Sequence, residues 1–496
     1  MRRTGILIRA RRRPLRALAA AASVFAAVVA WTLVAGPAAA ATAAGGDCAL
    51  PRTSAHHSEG VDTWNAAFPR PSTVLDAVMI FLSFPDAVPD LTPEEVAADH
   101  FPATSLFYDR ASYGRFQLRS HPVDRWIPMP RASTDYRIRR DWDADQRAAY
   151  LRDAIDAADP AVDFSAYDLV YLVADPDAPG VDADATKVVN LGTPMRADGT
   201  DLRRLVTVFE QHPPDHNVLA HETGHVFDLP DLYSRPAAGS DADWDTRVGD
   251  WDLMGSQFGL APEPFAWHKW KFGWLEDHQV QCVSQHGTSW HELTPLETAG
   301  GTKLIVVRTG RRTALAIEAR SATGNDAGLC REGVLLYEVR SNRESGEGPV
   351  TVLDGHPATS ACQDGSAYPP LADAPLGAGE SYAYDAGPGP RDGRLPLRGR
   401  LLGRQGQRGI APWRRTGEYR GCPERGSKPP PSGRSRCSRW PARPPPGRRP
   451  PTPRRRRPGP ARCARRRAPR CPRASRTGPR GGRAASSPRR PARCGP

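Results

Sequence analysis

The stretch His221-Glu222-Thr223-Gly224-His225-Val226-Phe227-Asp228-Leu229-Pro230-Asp231-Leu232-Tyr233 constrains this chain more than any other. Residues four apart on a helix lie one above the other on the same face, so His221 and His225 can both turn an imidazole toward one metal ion. Two histidines at that spacing form half of a zinc site. Glu222, next to the first histidine, is placed to reach a metal-bound water without ligating the metal itself.

A catalytic zinc takes three protein ligands and keeps one open position, so a third ligand is required. The Leu229-Pro230 pair predicts the end of the helix, because proline disfavours helical geometry in the residue before it. Asp231 lies six residues after His225, where a metzincin-type motif carries its third ligand after a sharp turn. The turn residue of that motif is normally glycine, because the backbone there has positive φ. In this chain it is Asp228, and aspartate is among the few other residues that tolerate that region. Downstream come Gly249-Asp250-Trp251-Asp252-Leu253-Met254-Gly255-Ser256 and the aromatic run Pro264-Phe265-Ala266-Trp267-His268-Lys269-Trp270-Lys271-Phe272-Gly273-Trp274-Leu275. Taken in this order, the three segments resemble the catalytic core of the immune inhibitor A family of secreted bacterial metallopeptidases. The resemblance covers roughly residues 72–385. It implies an α/β (α+β) metzincin-like catalytic domain with His221, His225 and Asp231 as zinc ligands, Glu222 as the catalytic base and Met254 as the Met-turn residue under the metal.

Two rival readings are open at this stage. In a gluzincin a distant glutamate completes the site, and Glu263 is the nearest one, set between Pro262 and Pro264. The other rival is a catalytically inactive secreted binding protein on the same fold.

Charge separates the chain into regions. Residues 391–496 hold 33 Lys+Arg against 3 Asp+Glu, a net of +30; the whole-chain +13 less this +30 leaves −17 for residues 1–390. The basic tail therefore hides an acidic body, which argues against nucleic acid as the body's partner and leaves protein or peptide substrates. The first 40 residues read as a secretory signal peptide: a basic start through Arg16, an apolar run from about Leu18 to Val34, then Pro37-Ala38-Ala39-Ala40-Ala41. The rival for that segment is an uncleaved membrane anchor. Export predicts an extracellular protein with no stable membrane insertion after signal cleavage, and it permits disulfides. Four cysteines precede residue 390, and three pairings are open to them; the short-range choice joins Cys330 to Cys362 and leaves Cys48 with Cys282.

Along the body, residues 41–71 form a short N-terminal segment and 72–290 the expected catalytic domain. Residues 73–84 and 167–174 read as buried strands, and 142–158 as a helix between them. Asp175, Asp177, Asp182 and Asp184 share one loop and could bind calcium through oxygen ligands. The short run 205–209 reads as the strand on the rim of the cleft, where an extended peptide would add as a further strand. Asp215 or Asn217 is expected to cap the active-site helix, with His212 and His216 beside it as surface residues. Trp267, Trp270 and Trp274 recur at helical spacing and are expected to pack the lower part of the domain. Residues 291–388 read as a β-rich subdomain with strands at 303–308, 314–319 and 334–339. The Arg/Pro-rich tail, 389–496, is expected to be disordered, because from Ala411 onward it contains no Leu, Ile, Val, Phe or Met to offset chain entropy. Its composition and its abrupt start after Asp385 suggest the product of a frameshift in a GC-rich gene.

Overall fold

The structure, a computed structural model, describes residues 46–237, 240–284 and 289–384, with the backbone of 397–398, 400–404 and 407–411. The leader 1–40 and the rest of the 389–496 tail lie outside the described residues.

The architecture is mixed α/β, built on two mixed sheets with few helices. In chain order the first half comprises β1 (Val74–Ser83), α1 (Pro93–His100), α2 (Ala103–Ala111), β2 (Gln117–Pro128), α3 (Ala144–Ala158), β3 (Leu169–Ala174), β4 (Lys187–Ala197) and β5 (Thr200–Val208). The strand order is β2-β1-β3-β5-β4, with β1 parallel to β2 and β3, β3 parallel to β5, and β4 antiparallel on the edge. The continuous apolar run of β1 reflects burial on both faces. Met79 and Phe81 point into one core, and Val78, Ile80 and Leu82 into another.

That second core is covered by α3. Asp143 starts the helix by accepting hydrogen bonds from the N–H groups of Asp145 and Gln146, and Tyr150, Leu151, Ala154, Ile155 and Ala158 form its buried stripe. Trp142 was expected inside this helix; it lies just before the cap and packs its ring on Tyr150 and Phe209. The opposite face of the sheet carries α4 (Val218–Val226), followed later by α5 (Ala266–Phe272).

The second sheet contains β6 (Val280–Cys282), β8 (Leu304–Arg308), β9 (Thr313–Arg320), β10 (Gly333–Arg340) and β11 (Val350–Val352); the short β7 (His291–Leu293) lies between β6 and β8 in the chain. Its order is β11-β10-β9-β8-β6. The three strands expected between 303 and 339 are therefore present, and β6 brings the sheet's start back to Val280. Leu304, Val306, Ala316, Leu335 and Tyr337 enter the same core as α4 and α5, so the layers run α3, first sheet, α4 with α5, second sheet. Trp267, Trp270 and Trp274 are buried between the sheets, as their spacing predicted. Both expected disulfides form, Cys48–Cys282 and Cys330–Cys362.

Within the expected tail, three short strands are described. Regular backbone continues through Leu397–Arg398, Arg400–Arg404 and Gln407–Ala411, and the last of these strands pairs antiparallel with β7. This stretch still carries Leu397, Leu401, Leu402 and Ile410, the last aliphatic side chains of the chain apart from alanine and proline. Among the described residues no helix is long and apolar enough to cross a membrane.

Candidate metal centre

The site is built on α4. Asn217 caps the helix in the left-handed region, at φ 57°, with no side-chain cap bond; Asp215 contributes its backbone carbonyl to the first turn, and its side chain accepts instead from Gln257. Leu219, Ala220 and Val226 are buried under the sheet. Tyr108 Oη donates to the Ala220 carbonyl at 2.6 Å, and the Tyr171 and Thr223 hydroxyls meet at 2.9 Å, which fixes the helix against α2 and β3. The helix ends at Phe227, where Asp228 takes φ 66° and reverses the chain. The turn geometry expected of Asp228 is thus adopted.

Past the turn, Asp231 comes back beneath the two histidines. Its Oδ1 lies 3.5 Å from His221 Nε2 and 3.0 Å from His225 Nε2. Among the described residues, His221, His225 and Asp231 form the one group of three metal-capable side chains whose ligand atoms converge. Nδ1 of His221 faces the Leu253 carbonyl at 3.0 Å, and Nδ1 of His225 faces the Leu229 carbonyl at 2.8 Å. A carbonyl can only accept, so each Nδ1 carries a proton and each ring turns its Nε2 toward the carboxylate. Asp231 Oδ1 is itself buried, with the two Nε2 atoms as its neighbours. Two imidazole nitrogens and a carboxylate oxygen brought together in this way are a donor set that could hold a metal ion.

The spacing suits zinc. Ligand atoms about 2.1 Å from a tetrahedral ion sit roughly 3.4 Å apart, close to the 3.0 and 3.5 Å observed. Burial opposes a charged imidazole, yet the Asp231 carboxylate outweighs it and lifts the His225 pKa to about 9. Burial likewise opposes the Asp231 charge, but the neighbouring imidazoles hold its carboxyl well below the usual range.

The outer partners of Asp231 left no pattern in the sequence. Oδ2 accepts from Arg235 Nη2 at 2.7 Å and from Ser345 Oγ at 2.8 Å, while the Asp231 N–H donates to Ser345 Oγ and the Asp231 carbonyl accepts from Gly346 N–H. These bonds turn Oδ1, rather than Oδ2, to the histidines. Met254 lies beneath the helix: a Cβ added at Gly224 would stand 2.5 Å from Met254 Sδ. The Met254 turn is held by Asp252, whose carboxylate accepts from the N–H groups of Met254 and Phe265 and from His268.

Glu222 is buried beside the metal-capable group. Its Oε2 accepts from the Val188 N–H of β4 at 2.8 Å, and burial raises its pKa. A cleft of about 920 Å³ opens over this centre, with Lys187 and Val188 on one side and Tyr233, Trp244 and Phe258 among the residues on its walls. Trp244 and Phe258 are exposed aromatics. His57, from the N-terminal segment, also lines the cleft; it is buried, which pushes its pKa down to about 4.

Three expectations are corrected. The rim strand is β4: residues 205–209 fall largely in β5, which has neighbours on both sides. Glu263 is not at the centre, because its carboxylate receives Lys269 Nζ on one oxygen and Asn325 Nδ2 on the other. Asp175, Asp177, Asp182 and Asp184 do not form a converging group. Asp175 and Asp182 turn their carboxylates to the backbone N–H two residues on, in Asp177 and Asp184, as aspartates in loops do. His212 is a surface residue as expected, paired with Asp99.

No protein-family model matches the chain, and no curated protein matches it. The likeness to immune inhibitor A peptidases therefore rests on the motifs themselves.

Proposed function

We propose that this chain is a secreted zinc-dependent endopeptidase that hydrolyses peptide bonds of extracellular proteins, on a metzincin-like fold. The observation that carries the reading is the convergence of two histidines held at Nδ1 by backbone carbonyls with a buried carboxylate oxygen. Glu222 stands beside them with its Oε2 already tied.

When bound, zinc polarises a carbonyl and makes a neighbouring water easier to deprotonate. The residues do the rest. Burial raises the proton affinity of Glu222, which suits a group that takes a proton from the attacking water and returns it to the leaving amine. The bond from Val188 fixes one oxygen, so the other is the one that handles the proton. An extended substrate lies along the outer edge of β4, whose only ladder partner among the described residues is β5. An open cleft and an intact Glu222 favour an enzyme over a binding module.

The deciding test is turnover of denatured casein by the purified chain, with and without a zinc chelator. Hydrolysis that stops on chelation and returns with zinc supports the reading; no hydrolysis by a zinc-loaded protein overturns it.

A further inference from the structure

Asp228 occupies a position where glycine would be free of strain, since its φ is 66°. An aspartate there accepts a backbone penalty of order 1 kcal/mol. Turn chemistry alone does not account for the choice, because the side chain is wholly buried rather than solvated at the turn. Its carboxylate is a hub. Oδ2 accepts from Arg52 Nη1 at 2.8 Å, and Oδ1 meets His57 Nδ1 at 3.0 Å. Lys271 Nζ stands 3.9 Å from Oδ2, and it donates to the Asp228 carbonyl and to the Ser58 carbonyl. Two of these arms come from the N-terminal segment and the third from α5.

Two routes lead from the hub to one metal-capable histidine. The next residue, Leu229, supplies the carbonyl that holds His225 Nδ1 at 2.8 Å. On the other side the His57 ring stacks on the His225 ring, with centroids 5.7 Å apart and planes 27° apart. Because Asp228 is an acceptor, His57 Nδ1 carries the proton, and that bond sets the plane of the stacking ring.

We infer that Asp228 and His57 are positioning residues for His225, and that the N-terminal segment reaching from Arg52 to His57 is a permanent wall of the metal centre rather than a removable prosegment. The inference rests on the zinc reading above. Partners that orient a ligating histidine typically contribute 10–100-fold to metal affinity. The Cys48–Cys282 bond, which ties the start of this segment to β6, fits a wall that stays in place.

The test compares the full chain with Asp228→Gly, His57→Phe and Arg52→Met, reading zinc affinity by chelator competition and the visible spectrum of the cobalt-substituted protein. Asp228→Gly relieves the backbone and is the sharpest case: it should bind zinc about tenfold or more weaker than the wild type and shift the cobalt bands. His57→Phe keeps a ring but loses the bond, and should move both readouts in the same direction. Should Asp228→Gly fail to fold, the two single-arm variants decide. Unchanged zinc affinity and an unchanged cobalt spectrum, with only the metal-free melting temperature lowered, would overturn the inference. A wild-type chain that takes up no zinc fails at an earlier step and removes the hydrolase reading itself.

Discussion

Glu222 divides its carboxylate between a structural bond and a chemical task. With Oε2 held by Val188 N–H at 2.8 Å, replacement by glutamine keeps the side chain's shape while removing the base. Glu222→Gln should retain zinc and lose roughly 10²–10⁴-fold in kcat, the range general-base catalysis contributes. Metal content and casein turnover measured on one preparation check this, and full activity in that variant would remove Glu222 from its role. That His221 and His225 meet was legible from spacing, because a helical turn fixes which side chains share a face, whereas Asp231 was expected from the metzincin-type motif that the segment resembles. Ser345 and Arg235 were not both so visible. Arg235 follows Asp231 by one helical spacing but in a loop, and Ser345 comes from a segment 114 residues away.

At the scale of elements, α4 and β4 define the centre. A glycine inside a helix is normally a liability of about 1 kcal/mol relative to alanine, yet Gly224 is where Met254 Sδ packs, 2.5 Å from the place a Cβ would occupy. Gly224→Ala should therefore destabilise by about 1–3 kcal/mol despite its better helix propensity, and the loss should shrink in a double variant with Met254→Ala. Thermal melts of the four proteins check the cycle; a Gly224→Ala protein more stable than the wild type would mean the turn beneath is not tightly packed. On the rim, Val188 sends its N–H to Glu222. Val188→Pro deletes that donor on an edge strand, a place proline tolerates, and should lower kcat/KM about tenfold with zinc affinity unchanged. The sequence pointed to 205–209 as the rim because β-branched residues cluster there, but the same residues suit an internal strand equally well. Strand order is set by crossovers, which local pattern does not encode. Of the two caps the sequence offered, Asn217 takes the position, and its left-handed backbone turns its side chain to the Gln257 carbonyl rather than to the first turn of the helix.

For the molecule as a whole, the N-terminal segment is what sequence reading understated. Residues 41–71 carry no motif, yet Arg52, His57 and Glu59 all reach the layers around the site. Glu59 meets His268 Nε2 at 2.8 Å while Asp252 meets its Nδ1 at 2.6 Å. With an acceptor at each nitrogen, and both carboxylates outweighing the burial that would discharge the ring, the His268 pKa rises to about 10. A histidine whose pKa is higher folded than unfolded stabilises most where both states are protonated, below about 6.5, and that contribution is lost as pH climbs toward 10. The melting temperature should accordingly fall between pH 6.5 and 10, and His268→Gln should start lower and show a flatter profile over the same range. A wild-type profile that rises across that window would contradict a charged His268. The overall layering was legible from the apolar runs of β1 and β3 and the short strands after 303; the anchoring was not, because contacts such as His57 with Asp228 span 171 residues.

The most direct measurement is the zinc content of the purified full chain beside that of Asp231→Ala and Glu263→Ala. The account predicts one zinc per chain in the wild type and in Glu263→Ala, and a large loss in Asp231→Ala. A wild type without stoichiometric zinc, or an Asp231→Ala protein that holds it as tightly, would contradict the central claim.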